Sequence, residues 1–267
     1  PLQGGCQEFK SLNAHHKKEG NPSFLLFKIY RWNMKHLVVI PTYNESENIE
    51  NLINRIFELY KDINILVVDD SSPDNTSGIV RNLQQKYANL YLLVQKGKQG
   101  LANAYINGFK WGMNNGFDLF TSCDGDFSHN PVYIEQLVKK IEEGYDIASG
   151  SRYIKGGGTT EKNFFRNFIS IGGNIWADFI LRTKMKDILE GYSTYTREAL
   201  EKIDLDSITA KGYIFQAEMK YKAFIQGLKI VEVPILFETR TTGKSKMDLS
   251  IIFEALFSVV KLRFKNK

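Results

Sequence analysis

Asp124-Gly125-Asp126 follows a mostly apolar, strand-like run from Phe117 to Cys123. Two carboxylates, two residues apart at a strand end, can converge on one hard cation. Oxygen ligands of this kind suit Mg²⁺ or Mn²⁺, and such ions commonly hold substrate phosphates as well. The pair therefore points to chemistry on a diphosphate. Taken alone, an Asp-Gly-Asp in a loop is more often a solvated turn, so its surroundings decide its meaning. Ser128 has two readings: a further oxygen for the ion, directly or through water, or a helix-start residue before Pro131.

The elements around the pair alternate strand and helix. Strands are expected at 37–40, ended by Pro41, and at 63–68, 90–94, 118–122 and 146–149. Helices are expected at 45–60, from Asp74 or Thr76 to about 87, and at 101–115 and 131–143. Short apolar strands alternating with helices predict a mainly parallel, doubly wound α/β sheet. Ligands then sit at the carboxyl ends of the strands. Pro41-Thr42-Tyr43-Asn44-Glu45, Asp69-Asp70 and Asp124 to Asp126 all lie at such ends and are expected to face one crevice. The second half is less regular. It reads as a Gly-rich loop at 155–160, a long helix at 163–182, a strand at 192–195 and a helix at 212–226. Strands at 228–233 and 235–238 and a final helix at 249–264 follow.

The bulk numbers bound the function classes. The 267 residues carry a formal charge of +5, suited to phosphates or an anionic membrane surface but not specific for either. No dense basic patch is interleaved with aromatics, so nucleic acid is not expected as a partner. Cys6 and Cys123 are far apart, which predicts a reducing compartment without a disulfide. No apolar stretch is long enough to span a bilayer. Residues 1–33 lack clear periodicity, and Met34 closely precedes the first strand. They are expected to be an extension outside the domain, either non-native or a tail, or else a membrane-binding arm. Residues 34–267 are expected to form a single catalytic domain.

Six fragments in fixed order carry a resemblance. They are PTYNESENI at 41–49, VVDDSSPDNT at 67–76, DGDFSHNP at 124–131, GSRY at 150–153, VEVPILF at 231–237 and RTTGKSK at 240–246. The chain resembles inverting glycosyltransferases of family two. More narrowly, it is similar to the short polyprenol (dolichol) phosphate mannose synthases that lack transmembrane helices. The resemblance runs from about Met34 to Arg263 and implies a GT-A-type nucleotide-sugar-binding fold. It also implies metal-dependent transfer of a hexose, with GDP-mannose the favoured donor, to a polyprenyl phosphate.

By that resemblance Asp124 and Asp126 hold Mg²⁺ or Mn²⁺, which would neutralise charge on the leaving diphosphate. Pro41, Tyr43, Glu45, Asp70, Asp124 and Gly125 are placed on the nucleotide sugar. Asp70 is preferred to Asp69, which is left to orient the turn. Glu45 reads equally as a charge stabilising a helix N-terminus. The acceptor phosphate has a second pKa of roughly 6, so its nucleophilic oxygen is largely deprotonated at neutral pH. Such chemistry needs cations more than a base. Arg152, Arg166, Arg240 and Lys246 are the candidates, with Ser170 four residues after Arg166 on the same helical face. Asp124, Asp126, Arg152 and Arg240 are the expected catalytic residues. His129 reads as structural, and Gln216 and Glu218 as shaping the sugar site or bracing a helix.

One stretch departs from the family pattern. At 187–193, Asp187 and Gly191 match, whereas Leu189 and Glu190 replace small hydroxyl residues and Ser193 replaces a base. This leaves two rivals open: a UDP-glucose or UDP-N-acetylhexosamine transferase, and a non-catalytic nucleotide-sugar-binding relative. A nucleotidyltransferase would need an early Gly-rich phosphate loop, which Pro41-Thr42-Tyr43-Asn44 does not supply. The final helix sets Leu249, Ile252, Phe253, Leu256, Phe257, Val260 and Phe264 at helical spacing before Lys261, Arg263, Lys265 and Lys267. It reads either as a helix on an anionic membrane surface or as one packed on the domain. A lipid acceptor implies peripheral contact with the cytoplasmic face of a membrane.

Overall fold

Runs rich in Val, Ile and Leu can form parallel strands only where helices cover both faces. β1 (His36–Thr42) and β2 (Asn64–Asp69) are buried at every residue after the first. With β3 (Leu90–Val94), β4 (Leu119–Ser122), β5 (Ile147–Ser151), β7 (Ser193–Thr196) and β8 (Ile230–Pro234) they form a seven-stranded sheet, ordered β3-β2-β1-β4-β7-β5-β8. The computed structural model describes residues 34–239 and 249–265, and for 249–255 the backbone alone. Residues 1–33, Arg240 and Lys246 lie outside the described residues.

β3, β2, β1 and β4 are parallel to one another, and β5 is parallel to β8. β7 runs antiparallel to both β4 and β5. The expected mainly parallel α/β architecture is therefore present. The reversed β7 has a consequence for the site: its leading residues, 187–192, arrive at the edge where β1, β2, β4 and β5 end. A two-stranded sheet pairs β6 (Gly158–Thr159) with β9 (Leu236–Phe237). The two late strands expected from sequence thus belong to different sheets.

The helices are α1 (Ile49–Leu59), α2 (Thr76–Gln84), α3 (Leu101–Asn114), α4 (Ile134–Glu142), α5 (Phe164–Leu181), α6 (Arg197–Ile203), α7 (Ile214–Ile225) and α8 (Leu249–Lys265). Three details differ from the sequence reading. α1 starts four residues later than expected, because Asn44 is left-handed (φ 61°) and the Glu45 carbonyl closes a turn by accepting from Asn48 and Ile49. α6 was not anticipated, although Thr196 caps it by accepting from the Ala199 N–H at 3.1 Å. Pro41 lies inside β1 rather than ending it. The Val39 carbonyl accepts from Cys123, and Pro41, two residues on, faces the same side after β4 has ended. No ladder bond is lost there.

α3 lies against β1 and β2. A Cβ on Gly108 would stand 2.4 Å from a Val39 methyl, so glycine permits this approach. The approach places Tyr105, fully buried and stacked near Phe109 and Phe215, beneath the strand ends. A second cluster joins α5, α7 and α8 through Ala177, Leu181, Tyr221, Val259 and Leu262. The outer face of α5 is different. Phe164, Phe165, Phe168, Ile175 and Phe179 are each between 62% and 83% exposed. Gly108→Ala is expected to lower stability by about 1–3 kcal/mol through overpacking, checked by urea denaturation.

Candidate active site

The carboxyl ends of β1, β2, β4 and β5 share one edge of the sheet, and the sequence-predicted groups meet there. Gly125 brings two of them into contact. A Cβ on it would lie 3.3 Å from the Pro41 carbonyl and 3.5 Å from Glu45 Cγ. The Asp124 loop is therefore packed onto the end of β1.

Three contacts fix that loop. Tyr105 donates its hydroxyl to Asp124 Oδ1 at 2.7 Å. The Asp124 N–H donates to His129 Nδ1 at 3.0 Å. Asp126 Oδ1 accepts from the Ser128 N–H at 3.0 Å and from its hydroxyl at 2.6 Å. Ser128 therefore braces Asp126, and the helix-start role falls to Asn130, which accepts from Val132 at 3.1 Å. Phe127 turns the chain between them at φ 63°, a costly conformation for a bulky residue. Burial, with Asp126 nearby, raises the Asp124 carboxyl above its ordinary range, while the hydrogen bond from Tyr105 opposes the shift. Burial and Asp124 push the Tyr105 phenol well up, so it stays a donor.

This donor set fits a divalent ion. Two hard carboxylates are crowded in a half-dry site, where a cation relieves their repulsion. No cluster of three or more His, Cys, Asp or Glu suited to a metal occurs among the described residues. An ion here would take its other ligands from substrate phosphate and water, as Mg²⁺ commonly does.

The two carboxylates at the end of β2 have local partners. Asp69 accepts from Thr42 at 3.0 Å and from the Ser72 N–H at 3.1 Å. Asp70 accepts from Gln95 at 2.9 Å and from the Gln99 and Gly100 N–H groups at 2.6 and 2.7 Å. Asp70, expected on the nucleoside, thus also closes the loop that starts α3. The Asp70 N–H donates to the Thr42 carbonyl at 2.9 Å, next to Tyr43 in the chain. Lys98, which sequence reasoning passed over, sits 3.7 Å above the Tyr43 ring. Only the fold brings these two residues together.

Arg152 is engaged rather than free. Its Nε and Nη2 donate to Asp187 at 2.7 and 2.8 Å, and Nε lies 3.3 Å from Glu190 Oε2. The ring faces of Tyr153 and Phe237 lie near the guanidinium. Tyr153 in turn donates to Ser170 on α5 at 2.7 Å. Arg166, one turn earlier on α5, is exposed and 3.4 Å from Glu161. Glu190, from the divergent stretch, lies between Arg152 and His129, whose Nε2 is 2.9 Å away. Burial opposes ionisation of Glu190, yet Arg152 and the hydrogen bond from His129 hold its carboxyl well below the ordinary range. Beneath it, Lys220 donates to the Ile188 and Glu190 carbonyls, and burial pulls its ammonium down to about 8. Glu218 accepts from the Thr209 and Ala210 N–H groups, a bracing role. Gln216 is buried beside Gly191.

The family model of glycosyl transferase family 2 matches residues 37–204, a span that holds the whole Asp124 to Glu190 constellation. The chain belongs to glycosyl transferase family 2. This glycosyltransferase is 39% identical over 238 residues to the polyprenol monophosphomannose synthase of Mycolicibacterium smegmatis, covering 89% of this chain and 90% of that protein. It is 36% identical over 228 residues to the undecaprenyl-phosphate mannosyltransferase of Micrococcus luteus, covering 85% and 93%. It is 38% identical over 234 residues to the dolichol-phosphate mannosyltransferase of Pyrococcus furiosus, covering 86% of this chain and 64% of that one. Its fold is similar to that of glucosyl-3-phosphoglycerate synthase from Mycobacterium tuberculosis, crystallised with Mn²⁺, UDP and glucosyl-3-phosphoglycerate. That match has a TM-score of 0.65 at 16% identity and covers 91% and 83% of the two chains.

In the glycosyltransferase, the fully buried Asp187 carboxylate makes both side-chain hydrogen bonds to Arg152. Asp187→Ala leaves that guanidinium with Glu190 alone, and a stability loss of about 3–5 kcal/mol is expected in denaturant titration.

Proposed function

We propose that this glycosyltransferase moves a mannosyl group from GDP-mannose to a polyprenyl phosphate, with Mg²⁺ or Mn²⁺ at Asp124 and Asp126. The juxtaposition of that carboxylate pair with the Arg152 to Ser170 region, at one sheet edge, carries the reading. It supplies a place for the donor diphosphate next to a place for an acceptor phosphate. The mannosyltransferase names of relatives aligned over most of the chain support the choice of sugar and acceptor.

In this reading an acceptor phosphate oxygen attacks the anomeric carbon while the bond to the donor diphosphate breaks, with inversion. When bound, the ion supplies charge neutralisation at the leaving group. Tyr105 and His129 keep Asp124 in one orientation, so little rearrangement is needed as that charge develops. Tyr43 and Glu45 hold the nucleoside, and Asp70 shapes the loop beside them. Arg166, Ser170, Arg240 and Lys246 gather the acceptor phosphate. Arg152 contributes through the hydrogens that Asp187 and Glu190 leave open. No general base is required, because the nucleophile is already ionised.

Peripheral membrane contact belongs to the same proposal. No described helix is long and apolar enough to cross a membrane. α5 carries Arg166 and Ser170 on a helix whose other residues include the exposed Phe164, Phe165, Phe168, Ile175 and Phe179. An apolar helix face beside the acceptor groups suits a lipid whose tail stays in the bilayer. α8 adds exposed Phe257 and Phe264. It also buries Val259 and Leu262, so this final helix is packed on the domain along one side.

Radiolabelled GDP-mannose, UDP-glucose and UDP-N-acetylglucosamine, each supplied with a short polyprenyl phosphate, test the reaction. Label is expected in the lipid phase from GDP-mannose alone, and chelator should remove it. Asp126→Ala is expected to abolish this transfer with an unchanged circular dichroism spectrum; normal turnover would refute the metal assignment. In vesicle flotation, Phe168→Ser with Phe179→Ser is expected to shift most of the protein into the soluble fraction. Unchanged flotation would exclude α5 as the contact.

A further inference from the structure

We propose that Glu190 is a positioning residue for the Asp124 loop, acting through His129. The proposal rests on the reading of that loop as a divalent-cation site. The Asp124 N–H is directed at His129 Nδ1 at 3.0 Å, a contact that needs a lone pair on that nitrogen. The ring hydrogen therefore sits on Nε2. That hydrogen faces Glu190 Oε1 at 2.9 Å. A carboxylate opposite Nε2 selects this tautomer and fixes the ring plane.

Glu190 is itself held. The same Oε1 accepts from the Gly191 N–H at 2.8 Å and from the Tyr192 N–H at 3.2 Å. Oε2 faces Arg152, and Lys220 donates to the Glu190 carbonyl. The Tyr192 ring stacks on the imidazole, with centroids 4.8 Å apart and planes within 4°. The imidazole is therefore locked by the 187–192 segment and passes its orientation to the Asp124 backbone. Tyr105 donates to Asp124 Oδ1, and His129 Nε2 also lies 3.8 Å from Asp124 Oδ2. A ring in the other tautomer would point a hydrogen at the Asp124 N–H and push the loop away. Glu190 lies in the stretch that departs from the family pattern, so this link is a property of this chain's own residues.

Reach and charge can be separated by two substitutions. Glu190→Asp keeps the charge beside Arg152 but draws the oxygens back from His129. Glu190→Gln keeps an acceptor within reach of Nε2 but removes the charge. His129→Asn retains an oxygen near the place of Nδ1 and cannot reach Glu190. The readout is affinity for Mn²⁺ alone, followed by the electron paramagnetic resonance signal of the free ion, with thermal melting to verify folding. Glu190→Asp is expected to weaken Mn²⁺ binding about tenfold and Glu190→Gln by less than about threefold. In the His129→Asn background, Glu190→Asp is expected to cost no further affinity. Gln weakening binding as much as Asp, or an undiminished Asp effect in the His129→Asn background, would overturn the proposal. The measurement needs neither donor nor acceptor, so failure of mannosyl transfer leaves it intact. Wild-type protein that binds no Mn²⁺ would remove the cation-site reading and this proposal with it.

Discussion

The Asp124 loop depends on a run of hydrogen bonds and ion pairs being kept dry and in contact. From Asp124 the contacts run through His129 to Glu190, from there to Arg152, and on to Asp187. Every member is at least half-buried. Removing one partner leaves another charge or polar hydrogen without solvent, which costs far more than the intact pair contributes. The consequence is conformational specificity. The loop after β4, the end of β5 and the segment before β7 have few ways to sit that satisfy all of these groups at once.

The reversed β7 makes this arrangement reachable. In a purely parallel sheet, the carboxyl edge receives only segments that leave strands. β7 brings in a segment that is about to enter one, so 187–192 meets 124–130 head-on. Glu232 secures the arrival by accepting from the Lys186 and Asp187 N–H groups, both at 2.9 Å. The Asp187 carboxylate is thereby turned toward Arg152.

The parts legible in the sequence are those whose signal is local. Apolar runs of four to seven residues gave the strands, and carboxylates after them gave the crevice. Ser128 and Asn130 were less legible, because a hydroxyl and an amide near Pro131 compete for the same cap and only the Phe127 turn decides between them. The Glu190 contacts could not be read in advance. His129 lies 61 residues earlier, and a strand of reversed direction has to form before the two meet. The divergent stretch did signal something, yet it pointed to altered function rather than to a partner for His129. α5 shows a different gap. Its aromatic residues are plain in the sequence, but composition does not tell which of them a neighbour covers. α6 was missed although Thr196 gave a readable cap.

The outer face of α5 bears on how the acceptor is counted. Under the proposed membrane contact, a protein resting on a bilayer through Phe164, Phe168 and Phe179 would no longer sample a bulk solution. Its acceptor is confined to the same thin layer, so saturation follows the mole fraction of that lipid in the leaflet rather than molarity. Encounter becomes a search in two dimensions. Dilution with inert lipid then slows the reaction even when total acceptor in the sample is unchanged.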